Sequence, residues 1–239
     1  MAATRSVITY LAVILYILVV GPVGLLVAVV FRAKGLLYAL GHAGCWIALT
    51  LAGIRYRVIG REHIPREAVV FCSNHESNVD PPVLFQALHR RLHILYKAEL
   101  RKFPIMKTVF DVGGFVPVDR TDRDQAIASI SRGARSLRAG NSFLIFPEGT
   151  RSPTGQLLPF KKGGFIMAIE AQAPIVPVAV QGGRDAMHKG SAVVHPVDVT
   201  IRVGEPVPTA GLTLADRDEL IERVRARVQN LLSQGPVSV

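Results

Sequence analysis

Two short segments combine residue types that can do chemistry. The first, Ser73-Asn74-His75-Glu76-Ser77-Asn78-Val79-Asp80-Pro81-Pro82, follows an apolar run that ends at Cys72. An aspartate five positions after a histidine can fold back around a turn and accept the Nδ1 proton, leaving Nε2 to take a proton from a substrate. The pair also admits a plainer role, with Asp80 capping a helix that starts at Pro81. The second segment, Phe146-Pro147-Glu148-Gly149-Thr150-Arg151-Ser152, follows the apolar run SFLI. Glycine lets the backbone approach a ligand, threonine and backbone amides donate, and arginine offers a fork for phosphate. A polar turn with a solvated arginine is the alternative reading.

No G-x-S-x-G elbow is present, and Cys72 closes an apolar strand and reads as core. A base without its own nucleophile suits direct attack by a substrate hydroxyl. The seven histidines lack H-E-x-x-H spacing and the two cysteines, Cys45 and Cys72, form no pair, so no metal site is expected. Two cysteines also fall short of a disulfide framework, which makes a reducing compartment the expectation.

Such segments need a scaffold that presents loops at the ends of buried strands. Past Ile54 the chain alternates short β-branched runs with helical patterns. Strands are expected at Tyr56–Ile59, Ala68–Cys72, His93–Tyr96, Phe115–Val118, Ser142–Phe146, Ile175–Val180 and Val197–Val203. Helices are expected over about 124–138, from near Gly163, and over about 215–232. That order predicts an α/β domain over residues 55–239, with chemistry at the strand ends.

Residues 1–54 differ in texture. Val7 to Phe31 carries no charge over about 25 residues, or about 37 Å as a helix against a hydrocarbon core of about 30 Å. Gly35 to Ile54 is a weaker apolar segment with Gly41, His42, Gly44, Thr50 and Gly53, and it reads as packed on the first. The pair predicts a membrane-embedded helical hairpin. A cleaved signal peptide fits less well, because the run is long and a second follows. Arg5, Arg55, Arg57, Arg61 and Arg66 flank the hairpin base against Arg32 and Lys34 at its tip, which predicts a cytoplasmic catalytic side. Charges at the tip and Gly21-Pro22 within the first run leave open whether the hairpin spans or stays in one leaflet.

The chain has 239 residues, 28 Lys+Arg against 18 Asp+Glu, a net charge of +10 and 49% hydrophobic residues, which excludes a disordered tail. Aromatic residues are 7% and no groove-reading motif accompanies the charge, so nucleic acid is not an expected partner. The basic stretch with Arg90, Arg91, Arg101, Lys102 and Lys107 reads as a solvated face or a docking surface for anionic headgroups or an acidic carrier protein.

In order and approximate spacing, NHESNVD, GGFVPVDR at 113–120, FPEGTRS and IVPVAV at 175–180 resemble the four motifs of the glycerolipid acyltransferase family. The chain looks in particular like the bacterial 1-acylglycerol-3-phosphate acyltransferases of that family, including their N-terminal apolar hairpin. The resemblance implies a mixed sheet of about seven strands flanked by helices. It implies transfer of a fatty acyl chain from acyl-CoA or acyl carrier protein to the sn-2 hydroxyl of lysophosphatidic acid, giving phosphatidic acid at a bacterial inner membrane. No cofactor is implied, since the acyl thioester is a substrate.

By the same resemblance His75 is the general base and Asp80 its support. Lys97 is an oxyanion candidate, with a snorkelling surface lysine as the alternative. Arg120 and Arg151 hold the phosphate, Glu148, Gly149 and Thr150 shape that pocket, and Pro177 walls the acceptor site or belongs to a core strand. The second motif departs from the common pattern in ending Val118-Asp119-Arg120, so Asp119 can pair with Arg120. Alternatives in kind are an acyltransferase for another lyso-lipid, such as lyso-ornithine lipid, and a lipid esterase or thioesterase using the same His-Asp pair on water. A non-enzymatic membrane scaffold is a further one.

Overall fold

A computed structural model describes residues 1–88, 91–118, 122–188 and 190–237; for Lys97, Pro104, Ile105 and Arg123 the backbone alone is described. The β-branched runs form seven strands: β1 (Ile54–Ile59), β2 (Val70–Ser73), β3 (Leu92–Lys97), β4 (Val116–Val118), β5 (Ser142–Ile145), β6 (Ile175–Gln181) and β7 (Val197–Val203). They pair in the order β1-β7-β6-β2-β5-β3-β4 as one mixed sheet. β6, β2, β5, β3 and β4 run parallel, while β7 is antiparallel to β6 and parallel to β1. Every expected strand is present, with ends shifted by no more than two residues.

Alternation along β2 divides the core. Val69 and Phe71 face one layer with Val83, Leu84 and Val176, while Val70 and Cys72 face the other with Phe143, Phe165 and Leu220. α3 (Asp80–Ala87) covers the first face, and α5 (Arg123–Arg138), α6 (Gly163–Ala171) and α8 (Arg217–Ser233) cover the second. α4 (Pro104–Gly113) and the single turn α7 (Gly183–Ala186) were not among the expected helices, whereas α3 lies where the plainer reading of the first motif put a helix, from Pro81. α4 stops at Gly114, whose φ of 78° is the left-handed cap that glycine supplies.

Residues 2–52 form the two apolar helices α1 (Ala2–Val30) and α2 (Lys34–Ala52), and α1 continues through Pro22. They pack closely at glycines: Gly24 faces Leu40 and Gly44 faces Tyr16, whose hydroxyl donates to Leu40 O at 2.8 Å. Along α2 the polar positions face the α/β domain as well as α1. The Tyr38 hydroxyl donates to Gly113 O at 2.8 Å, the His42 ring stacks on Phe85 at 4.1 Å, and Leu49 and Ala52 belong to the core beside Phe71. Near the tip, Gly35 lies beside the Arg91 guanidinium. α2 therefore touches the domain along most of its ~28 Å. α1 is bonded to it at its start, where Val194 N–H donates to Ser6 Oγ at 2.8 Å and the Tyr10 hydroxyl to Ala192 O at 2.7 Å, and it also touches α4.

Candidate active site

Parallel strands end on one edge of a sheet, and that edge is where α/β proteins collect chemistry. The first motif leaves the end of β2, the third leaves β5, the second runs through β4, Lys97 ends β3, and β6 runs on into Gln181-Gly182-Gly183. Lys97 is paired in register with Val118. The Lys97 side chain, Asp119, Arg120 and Arg90 lie outside the described residues.

At the centre of the edge His75 Nδ1 lies 2.9 Å from Asp80 Oδ2. The Asp80 side chain is fully buried and that of His75 is 17% exposed. A buried carboxylate accepts a hydrogen bond from Nδ1–H, which assigns the tautomer and leaves Nε2 as the acceptor. The same Oδ2 accepts the backbone N–H groups of Glu76 and Ser77, each at 2.7 Å. Asp80 thus organises the loop before its own helix; no side-chain cap is made at the start of α3.

The third motif holds His75 from three sides. The His75 backbone N–H donates to Glu148 Oε1 at 2.8 Å, Ser152 N–H donates to His75 O at 2.8 Å, and the Phe146 ring stacks on the imidazole at 4.2 Å. Glu148 Oε2 accepts Leu158 N–H at 2.9 Å. Burial raises the Glu148 carboxyl above its ordinary value while the Leu158 and His75 amides pull it back. This carboxylate is a brace between two loops, each of its oxygens accepting a backbone amide. Burial, with the nearby Asp80 and Glu148 carboxylates, pushes the neighbouring Glu76 up to about 7.

Beside this brace Gly149 adopts a φ of 71°, Thr150 is exposed and Arg151 is half-buried. Lys161, which the sequence reading did not single out, lies across Gly149: a Cβ there would stand 2.7 Å from Lys161 Nζ. Its backbone N–H donates to Pro147 O at 2.8 Å, tying it to the same loop. The signal was the basic pair in Phe160-Lys161-Lys162-Gly163, directly before a helix.

Other expected positions fall elsewhere. Pro177 is not brought to the dyad: it lies beside Gly204 and lines a cavity of about 280 Å³ with Ile59, His63, Arg202 and Leu231. The reason is strand alternation, which turns its ring toward the α8 layer. Of the basic stretch, Arg101 and Lys107 both pair with Asp111, at 2.7 and 3.0 Å, so part of that charge is neutralised locally. Cys72 is buried in the core, which raises its thiol far above reactivity at neutral pH. Among the described residues no three His, Cys, Asp or Glu side chains gather as a metal site would require.

The arrangement therefore offers a His-Asp pair on a loop held by hydrogen bonds, with Arg151 and Lys161 on the adjoining loop and, among the described residues, no serine, threonine or cysteine side chain bonded to the His75 ring. The acyltransferase family model matches residues 55–181, from β1 through β6. A 1-acyl-sn-glycerol-3-phosphate acyltransferase of Limnanthes douglasii is 32% identical over 200 residues, covering 82% of this chain and 71% of that protein. The human alpha form of that enzyme is 36% identical over 177 residues, covering 73% of this chain and 62% of its own length. The crystal structure of the 1-acyl-sn-glycerophosphate acyltransferase PlsC from Thermotoga maritima superposes with a TM-score of 0.84 at 23% identity, covering 99% of this chain and 98% of that one, and it shares the fold. The motifs, the sheet edge that gathers them and these likenesses agree: the chain belongs to the acyltransferase family.

Proposed function

We propose that the protein transfers a fatty acyl group from a thioester, acyl-CoA or acyl carrier protein, to the sn-2 hydroxyl of lysophosphatidic acid, forming phosphatidic acid. The observation that carries this reading is the His75–Asp80 pair at 2.9 Å, clamped by the third motif, its ring, among the described residues, bonded to no serine, threonine or cysteine side chain. His75 Nε2 takes the proton of the sn-2 hydroxyl as its oxygen attacks the thioester carbonyl. Collapse of the tetrahedral intermediate breaks the C–S bond, and the imidazolium returns its proton to the leaving thiolate. Asp80 supports the imidazolium charge, and Lys97 at the end of β3 is the proposed partner of the oxyanion. The balance of the reaction calls for no redox or metal cofactor.

Arg151 and Lys161 are the proposed phosphate ligands, joined by Arg120, with Gly149 and Thr150 forming the floor. Charge-assisted contacts of this kind contribute roughly 1.5–3 kcal/mol each. Membrane residence suits lipid substrates, and the exposed apolar face of α1 supports it: Val7, Leu11, Leu15, Leu18, Val23 and Leu26 are each more than half exposed. Because α2 keeps contact with the domain from Gly35 to Ala52, the hairpin is read as embedded in one leaflet, lying alongside the domain. The basic residues at its base favour the cytoplasmic face of a bacterial inner membrane.

The test is product analysis with purified protein in nanodiscs, given an acyl thioester and either lysophosphatidic acid or a phosphate-free lyso-lipid. Phosphatidic acid from the first and little ester from the second is the expected result. Free fatty acid without phosphatidic acid would replace this reading by a hydrolase, and preference for the phosphate-free acceptor would replace the acceptor.

A further inference from the structure

Three contacts link the segment of β6 and α7 to the first motif. Asn74 Nδ2 donates to Val180 O at 2.9 Å, Val180 N–H donates to Asn74 Oδ1 at 2.8 Å, and the Ser77 hydroxyl donates to Met187 O at 2.9 Å. These bonds hold the ends of the loop that carries His75. What they enclose is the Asp80 carboxylate, whose Oδ2 accepts three hydrogen bonds while its buried Oδ1 has no partner among the described residues. Oδ1 faces Gly183, where a Cβ would stand 2.2 Å from that oxygen and 3.4 Å from Ser77 Cβ. No real contact is that short, so any side chain at 183 must displace the carboxylate or the turn.

The two glycines of Gly182-Gly183 are required for different reasons. Gly182 has a φ of 98° and its Cβ would meet the Asp198 carbonyl oxygen, so its backbone demands glycine. Gly183 has an ordinary φ; only the carboxylate demands it.

We propose that Gly183 is a positioning residue for the catalytic dyad, so that the fourth motif acts, through the turn that follows it, on the base and not on the acceptor. With no Cβ at 183, Asp80 seats at full depth and turns Oδ2 toward His75. The packed turn also keeps other donors from Oδ1, so the carboxylate charge is answered where the imidazole sits. A side chain at 183 rotates or lifts the carboxylate, lengthens the Oδ2–Nδ1 contact and misaims Nε2. This rests on the reading of His75 as the base, and it assigns residue 183 a role in turnover without contact with either substrate.

The experiment is a double-mutant cycle on the full chain with Gly183→Ala and Asp80→Ala, read by kinetics and by melting temperature. Gly183→Ala is expected to lower kcat at least tenfold, with KM for both acyl donor and acceptor within twofold of wild type, and to lower the melting temperature. In the Asp80→Ala background the space of the carboxylate is vacant, so adding Gly183→Ala is expected to leave the melting temperature and the residual rate unchanged. If Gly183→Ala alone does not fold, folding of the double variant gives the same support. An equal loss in both backgrounds, a double variant that unfolds where Asp80→Ala alone folds, or a Gly183→Ala protein with wild-type kcat overturns the proposal. The melting-temperature arm needs no substrate, so it is decided separately from the identity of the lipid acceptor.

Discussion

The loop around His75 and the helix α1 are opposite solutions to burial. In the loop, polar atoms lie inside and nearly all are matched: Asn74, Ser77, Asp80 and Glu148 are buried and bonded to backbone. In α1, apolar side chains lie outside; Leu15 and Leu18 are 63% and 66% exposed. The loop is stabilised by hydrogen bonds that water would weaken, whereas α1 presents a surface suited to lipid. Between them α2 serves both, giving Gly44 to α1 and Tyr38, His42 and Leu49 to the domain. The difference teaches that His75 is held in place because its loop is closed on the protein itself, while the outward face of α1 is left uncovered by the described residues.

The largest effect that probes this contrast is at Glu148. Glu148→Ala leaves the half-buried His75 and Leu158 N–H groups without their acceptor, and each costs ~1–3 kcal/mol, so unfolding in denaturant is expected to show a loss of ~2–6 kcal/mol. Activity is expected to fall at least tenfold in the fraction that remains folded, since the His75 backbone loses its anchor. A Glu148→Ala protein with unchanged stability would show that the third motif does not brace the first.

The two leucine-rich helices predict different responses to the same truncation. Leu49→Ala in α2 opens the core and is expected to cost ~2–4 kcal/mol, whereas Leu15→Ala in α1 is expected to stay within ~0.5 kcal/mol. Vesicle flotation reverses the order: Leu15→Lys with Leu18→Lys is expected to weaken membrane recovery strongly, with Leu49→Ala near wild type. Equal stability losses at 15 and 49 would break the distinction between the helices.

A smaller effect sharpens the account of the loop's interior. The Glu76 carboxyl, held at about 7 against an ordinary value of 4.5, favours its protonated form in the fold. Its contribution is therefore full below pH 4.5 and is lost as pH rises through 7. Glu76→Gln is expected to match wild type at pH 4.5 and to exceed it in stability by ~1–3 kcal/mol at pH 8.5, by urea unfolding at both values. A gain at pH 4.5 and none at pH 8.5 would reverse the sign of the argument.

Much of this was legible in the sequence because each β-branched run is bounded by turn residues, which set the seven strands and placed NHESNVD and FPEGTRS at strand ends. Their order in the sheet, which brings β2 beside both β5 and β6, arises from contacts far apart in the chain and was not legible. Pro177 read equally as a wall of the acceptor site or as part of a core strand for a related reason: a strand shows its period but not which face meets which layer. Glu148 showed its chemistry but not its partners, since a carboxylate that braces amides and one that lines a pocket read alike. Lys161 and Gly183 lay outside any recognised motif, and only folding sets one across Gly149 and the other against Asp80. In α2, Gly41 and His42 read as imperfections of a membrane segment, whereas they form its seat on Phe85.

The central claim, that His75 is the base for acyl transfer to a lipid hydroxyl, is tested most directly by the initial rate of phosphatidic acid formation by His75→Ala beside wild type, with melting temperatures taken on the same samples. The account predicts a fall of roughly 10²–10⁴-fold, the usual contribution of general base catalysis, with little change in melting temperature. A folded His75→Ala protein that forms phosphatidic acid within tenfold of the wild-type rate would contradict it.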